Sequence, residues 1–361
     1  MVDKASLIDA EMRRGRGARS NRVSRFDSET RATFDDGWET LGTLDAFKTT
    51  VFEERAKSII STNDSPDLSF DQSINPYRGC EHGCIYCYAR PTHSYLGHSA
   101  GLDFETKLYA KVNAAELLEK AFRNPRYVPK TIALGAVTDP YQPIERTLTI
   151  SRQILEVMDR TSHPVGIVTK SAGVVRDIDI LARLAKRQLV KVAISVTTLD
   201  PKLARSMEPR AATPPKRLDA IKRLSDAGIP TTVMVAPIIP ALNDAEIESI
   251  LETAHTAGTR EAGYVLLRLP LELKDLFREW LETDFPDRAK RVINILRSMH
   301  GGKDYVATFG HRQRGSGPYA DQIGLRFRLA LKRLGMERRH LSLRTDLFQP
   351  PTPVGSQLTL L

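Results

Sequence analysis

A chain of 361 residues with 41% hydrophobic and 27% charged residues has a globular composition, which excludes fibrous, collagen-like and wholly disordered proteins. No run approaches the ~18 consecutive apolar residues of a membrane span, and the start of the chain lacks the apolar stretch of a secretory signal, so a cytoplasmic protein with no membrane partner is expected. Lys and Arg number 53 against 44 Asp and Glu, a surplus that permits nucleic-acid binding without demonstrating it.

In chain order, residues 1–60 read as an arm. Six arginines fall between Arg13 and Arg25, with glycines among them and little apolar spacing, and an acidic stretch follows to about Glu54. This composition predicts a segment that is mostly disordered or wrapped over the main body. No self-similarity recurs at a period of ~20–50 residues, so solenoids and propellers are not expected.

From about residue 70, short apolar runs alternate with segments of helical period. A first strand is expected near Ser73–Tyr77. The later runs are Thr131–Val137, Val165–Thr169, Val190–Val196, Thr231–Ala236 and Gly263–Leu269. Their β-branched residues and unbroken apolarity suit parallel strands covered on both faces. Between them, Asn113-Ala-Ala-Glu116 looks like a capping box opening a helix through Phe122. Further helices are expected over Leu148–Arg160, Val174–Lys186, Pro215–Ala227 before Gly228, and Asp244–Thr256 before Gly258. Six βα units predict an α/β fold with a parallel sheet, open or curled into a partial, TIM-like (β/α)6 barrel. The core then spans 61–270. Beyond Pro270 the pattern turns helical (Glu272–Leu281, Asp287–Met299) and forms an extension over 271–361. Between Gly301 and Asp346 that extension carries ten Lys and Arg against four acids.

All three cysteines of the chain, Cys80, Cys84 and Cys87, fall within eight residues. An odd, tightly clustered set argues against a disulfide framework and for a metal or redox site. Their spacing is C-x3-C-x2-C, with Tyr86 before the last. Three thiolates this close can each reach one corner of a cuboidal iron–sulfur cluster, leaving the fourth iron for another ligand. The alternative is a structural zinc site with His82 as fourth ligand. His82 sits inside the cysteine loop, poorly placed to close a tetrahedron, and no second Cys or His pair stands at finger spacing.

Function in α/β barrels gathers at the C-terminal strand ends, and polar residues stand there. Thr138 and Asp139 follow the second strand, Lys170 and Ser171 the third, and Thr197 and Thr198 the fourth; Arg268 ends the sixth. Taken singly, each also suits a turn or a helix cap.

The run Asn75-Pro-Tyr-Arg-Gly-Cys80-Glu-His-Gly-Cys84-Ile-Tyr-Cys87-Tyr resembles the radical S-adenosylmethionine (SAM) superfamily, whose signature is a C-x3-C-x-aromatic-C loop after the first strand. The resemblance covers roughly 60–270, and its flanking text is most similar to the branch related to spore photoproduct lyase. It implies a [4Fe–4S] cluster on the three cysteines, SAM at the open iron, and a 5′-deoxyadenosyl radical that takes hydrogen from a substrate. It further implies a one-electron donor such as flavodoxin or ferredoxin.

Residue by residue, Thr138 and Asp139 occupy the place of the family's glycine-rich motif that receives the methionyl amine. Lys170 resembles the lysine that pairs with the cofactor carboxylate, against a solvated lysine. Ser195 and Thr197 stand near the ribose hydroxyls, although Ser195 equally suits a core hydroxyl. Arg210 is a candidate carboxylate clamp, with an ion pair to Glu208 as the alternative. Tyr77, Tyr88 and Tyr95 serve as packing for the loop or as radical relays.

Three functions compete. The first is a radical SAM enzyme of unknown substrate, a nucleic acid among the candidates. The second is a DNA repair lyase, for which the resemblance implies an extra cysteine where this chain has Val137. The third is a non-enzymatic, metal-stabilised nucleic-acid-binding protein, which leaves six βα units with polar ends unexplained.

Overall fold

The five expected apolar runs become strands of one sheet in the computed structural model, which describes residues 8–26, 47–336 and 341–352; the strand expected at Ser73–Tyr77 joins that sheet only as far as Ile74, and Tyr77 falls in a strand of a second sheet. In chain order the strands are β1 (Thr50–Glu54), β2 (Ile60–Thr62), β3 (Gln72–Ile74), β4 (Tyr77–Arg78), β5 (Lys107–Lys111), β6 (Ile132–Leu134), β7 (Val165–Thr169), β8 (Val190–Ser195), β9 (Thr231–Ile238) and β10 (Glu261–Leu266). The large sheet has the order β10-β9-β8-β7-β6-β3-β2. From β3 to β10 all its pairs are parallel, while β2 runs antiparallel on the β3 edge. Among the described residues β2 and β10 do not pair, so no closed barrel forms.

Burial follows the sequence pattern. Val165, Ile167, Val192, Ile194, Val233 and Val235 are almost wholly excluded from solvent, as expected where helices cover a parallel sheet. The helix Ile150–Arg160 turns Ile150, Ile154, Leu155, Val157 and Met158 inward, the stripe that a 3.6-residue period predicts. The helix Pro214–Asp226 stops before Gly228, whose φ of 73° is open to glycine at little cost.

Two local expectations fail. The capping box at Asn113 is not made: helix Ala114–Phe122 does begin there, but the Asn113 amide exchanges two 3.0 Å bonds with the Ala56 backbone. The run expected to Val137 ends as a strand at Leu134. At Gly135 φ is 93°, and a Cβ would fall 2.5 Å from Pro140 and 2.7 Å from the Val168 carbonyl. The backbone turns at Gly135, which sends Val137, Thr138 and Asp139 over the strand ends.

The extension beyond β10 is helical, with Leu273–Asp284 and Pro286–Ser298 near the expected positions and a further helix at Pro318–Arg333. Among the described residues no helix is long and apolar enough to cross a membrane.

Residues 8–26 of the arm lie against the core. Arg16 is buried and donates to the carbonyls of Glu105 and Phe47 and to the Thr49 hydroxyl, at 2.9–3.0 Å. Arg19, Arg22 and Arg25 pair with Asp284, Glu279 and Glu272 on or beside the helix Leu273–Asp284. The three-residue spacing of these arginines matches the row of acids. Residues 50–54, expected to be loose, instead form β1, parallel to β5 in a second sheet of order β1-β5-β4. Residues 27–46, which hold most of the acidic stretch, lie outside the described residues, as does the tail from 353.

Candidate functional site

The cysteine loop leaves β4 and is held from several sides. Cys80 N–H donates to the Phe104 carbonyl at 2.9 Å, and Gln142 takes Glu81 N–H at 2.9 Å while donating to Gly79 O. Beneath it, Arg90 is fully buried and donates to the carbonyls of Cys84, Gly83, Ala100 and Gly101. Glu105 balances that charge at 2.5 Å and accepts Gly17 N–H and Ala18 N–H from the arm. A Cβ on Gly17 would lie 1.9 Å from the Gly83 carbonyl, so the arm approaches the loop as closely as only glycine allows.

Cys80 and Cys84 are buried, Cys87 is half-buried, and all three are free thiols. Among the described residues no three Cys, His, Asp or Glu side chains converge to hold a single ion. Burial pushes the Cys80 and Cys84 thiols up, and the neighbouring acids Asp139 and Glu208 add to this. An Asp139 N–H bond at Cys80 and the Lys170 cation near Cys84 act in the opposite sense. Thiolates in such a setting need a bound cationic centre to offset their burial.

The ends of β6, β7 and β8 meet this loop. Asp139 takes the Thr169 hydroxyl and Lys170 N–H at 2.7 Å each, Tyr141 N–H at 2.9 Å, and His82 Nδ1 at 3.3 Å. Burial alone raises its carboxyl, but the His82 ring and these donors outweigh that and hold it down at about 2. Asp139 is thus an ionised brace joining two strand ends to His82. Thr138 is also committed: its hydroxyl donates to Tyr77 O at 3.1 Å, and its N–H shares Asn75 Oδ1 with Val137 N–H.

Tyr86, the aromatic of the cysteine spacing, is the meeting point. The Lys170 ammonium stands 5.6 Å from its ring centroid, and its hydroxyl lies 3.3 Å from that of Thr197. Lys170 is half-buried and has no carboxylate partner among the described residues. Thr197 and Tyr86 both donate to Glu208, which pairs with the buried Arg217. Arg217 in turn donates to Ser195 O at 3.0 Å, and Ser195 itself is buried. Thr198 donates to Glu246 at 2.6 Å.

Arg210 does not pair with Glu208. Its guanidinium meets Glu81 at 3.1 Å and its N–H donates to His82 O, because Glu208 is already taken by Arg217. The three tyrosines separate. Tyr77 is buried on Glu145, Tyr95 stacks with Phe26 at the surface, and Tyr88 bonds Ala136 O with Arg268 4.2 Å over its ring.

The residues that sequence reasoning misses here are Arg90, Glu105, Gln142 and Arg217, together with the roles of Asn75 and Glu208. Buried and surface charges look alike in a sequence; the one available signal was proximity to the cysteine run and to Arg210.

A family model described as the radical SAM superfamily matches residues 74–254. An uncharacterized protein of Mycobacterium tuberculosis is 35% identical over 232 residues, covering 64% of this chain and 68% of that protein. Another, from Methanocaldococcus jannaschii, is 28% identical over 247 residues, covering 68% and 88%. Among solved structures, spore photoproduct lyase complexed with dinucleoside spore photoproduct is similar with a TM-score of 0.58 over 85% of each chain. At 15% identity this is a likeness of fold.

Proposed function

The chain belongs to the radical SAM superfamily and is an enzyme, and we propose that Cys80, Cys84 and Cys87 hold a [4Fe–4S] cluster beside a SAM site formed by the ends of β6, β7 and β8. The observation that carries this reading is the convergence on Tyr86 of the free-thiol loop, the Lys170 ammonium, which meets no carboxylate among the described residues, and Thr197. Held by Cys80, Cys84 and Cys87 and by the strand ends around Lys170, the cluster and SAM would together supply reductive, radical-based hydrogen abstraction from a substrate.

The chain's own residues bind and position. Lys170 supplies a positive charge for the cofactor carboxylate, a charge-assisted contact. Thr138 and Asp139 shape the place of the methionyl amine, with Asp139 holding the β6 and β7 ends in register rather than lying open to a ligand. Ser195 and Thr197 are buried and back the ribose side, Thr197 through its bond to Glu208 beside Tyr86. Arg210 remains a clamp for the carboxylate, provided it exchanges Glu81 for that ligand. Arg90 and Glu105 fix the loop carbonyls so that the three thiols keep their spacing.

Anaerobic reconstitution with iron and sulfide, then reduction with SAM present, tests the proposal. Formation of 5′-deoxyadenosine, lost when any one cysteine becomes Ser, is expected. Zinc as the sole metal of anaerobically purified protein would overturn it.

A second, narrower reading is action on nucleic acid, as in a repair lyase. It is supported by guanidinium groups over rings at Arg268–Tyr88 and Arg314–Tyr264, at 4.2 and 3.9 Å, which offer planar faces to bases and charge to phosphates. Val137 in place of the extra cysteine leaves that reading without its hydrogen donor.

A further inference from the structure

We propose that the exposed face of the sheet β1-β5-β4 is the docking surface for a small acidic one-electron carrier protein; the inference rests on the cluster reading above. The first observation is proximity. Arg78 ends β4 two residues before Cys80, which puts their Cα atoms at most ~7 Å apart. Arg78 is paired in register with Tyr109 of β5, and Tyr109 with Phe52 of β1. At about 4.8 Å per strand, the outermost strand lies within roughly 17 Å of the Cys80 backbone.

The second observation is a continuous file of packed rings between them. Cys80 packs on Phe104, whose ring meets His93 at 5.5 Å. His93 lies 6.4 Å from Tyr109, and Tyr109 stacks on Phe52 at 5.1 Å. His98 braces the file by its 2.7 Å bond to the Tyr109 hydroxyl. Packed atoms thus run from a cluster ligand to Phe52, which is 40% exposed.

The third observation is what surrounds that ring. Phe52 shares that face with Tyr109, its partner in register, at an open edge, for among the described residues β1 pairs with β5 alone. The strands and their flanks carry Arg55, Lys57, Arg78, Lys107 and Lys111 against Glu53, Glu54 and Asp103, a surplus of two positive charges. Two of the acids are spent on Arg78 and Lys107. A small apolar centre inside a positive rim matches a carrier with an acidic rim around its redox centre, and suits a brief, salt-sensitive encounter. The same charge opposes self-association through this edge. In the encounter one electron leaves the reduced flavin or iron–sulfur centre of the carrier and enters the cluster; no bond forms or breaks, and the carrier departs oxidised by one electron.

The test uses the full chain, reconstituted anaerobically, with loss of the cluster's visible absorbance as the readout and two reductants, reduced flavodoxin and dithionite. The double change Arg55→Glu and Lys57→Glu is expected to slow flavodoxin-driven reduction about tenfold at low salt, with the gap narrowing as salt rises. Phe52→Ser slows it further, and Lys216→Glu on the helix Pro214–Asp226 leaves it unchanged. Dithionite reduces every variant at the wild-type rate. Equal rates with flavodoxin, equal slowing with dithionite, or a change of oligomeric state in place of a change of rate overturn the docking surface alone. Wild-type protein that forms no cluster sinks the cluster reading and this inference together.

Discussion

Glu208 accepts from Tyr86, Thr197 and Arg217, and neither member of the Glu208–Arg217 pair is more than 2% exposed at the side chain. Removing one partner leaves an uncompensated buried charge, so Glu208→Ala should cost roughly 3–5 kcal/mol in urea unfolding, whereas Glu208→Gln with Arg217→Met should recover much of it. Lys170 differs in kind, because its ammonium is committed to no carboxylate among the described residues. Lys170→Ala should leave stability and iron content unchanged and weaken SAM binding by about tenfold or more, measured by equilibrium dialysis; unchanged binding would remove Lys170 from the site. His163 gives the pH signature. It is buried, donates from Nδ1 to Pro164 O, accepts from Tyr127 and stacks on Phe122 at 4.5 Å; burial lowers its pKa to about 4. The unfolded chain therefore binds this proton first. The contribution is complete above about 6.5, falls as pH drops toward 4, and amounts to roughly 3 kcal/mol. Subtracting the His163→Gln stability curve from wild type should isolate that window.

At the scale of elements, the arm and the cysteine loop depend on each other. Gly17 faces the Gly83 carbonyl, and the Gly17 and Ala18 amides share the Glu105 carboxylate with Arg90. Gly17→Val should dislodge the arm and speed alkylation of the three cysteines in metal-free protein. Unchanged alkylation would mean that the arm does not shield the loop. The strands β6 to β9 were legible in advance because apolar runs largely covered on both faces have no polar alternation to confuse them. Sequence patterns predicted less well where tertiary contacts compete for a side chain, as at Asn113, whose amide serves Ala56 instead of the helix it precedes. The strand β1 was illegible for a related reason: its residues are almost all exposed, so no burial pattern marks them.

At the scale of the molecule, the charge surplus of the extension is smaller than composition suggests. Arg312, Arg326, Arg333 and Arg344 each meet a carboxylate, while Arg338 and Arg339 lie outside the described residues. Of the ten, Lys303, Arg314, Arg328 and Lys332 meet no carboxylate among the described residues, and Arg314, like Arg268 just after β10, lies over a ring. If the nucleic-acid reading holds, titration of single- and double-stranded DNA and RNA should show log affinity falling linearly with log salt. Arg268→Ala with Arg314→Ala should then weaken binding and flatten that slope. Absence of binding at low salt would withdraw the reading.

The family, the parallel strands and the cysteine spacing are legible along the chain, because each depends on period, run length or the separation of near neighbours. Which charges are buried, and whom they face, is settled by the fold. Glu208 turned to Arg217, leaving Arg210 to Glu81, and Asp139 became a brace between two strands. An ion pair is set by distances between residues far apart in the chain and by the exclusion of water around them, and neither quantity is written in the order of residues.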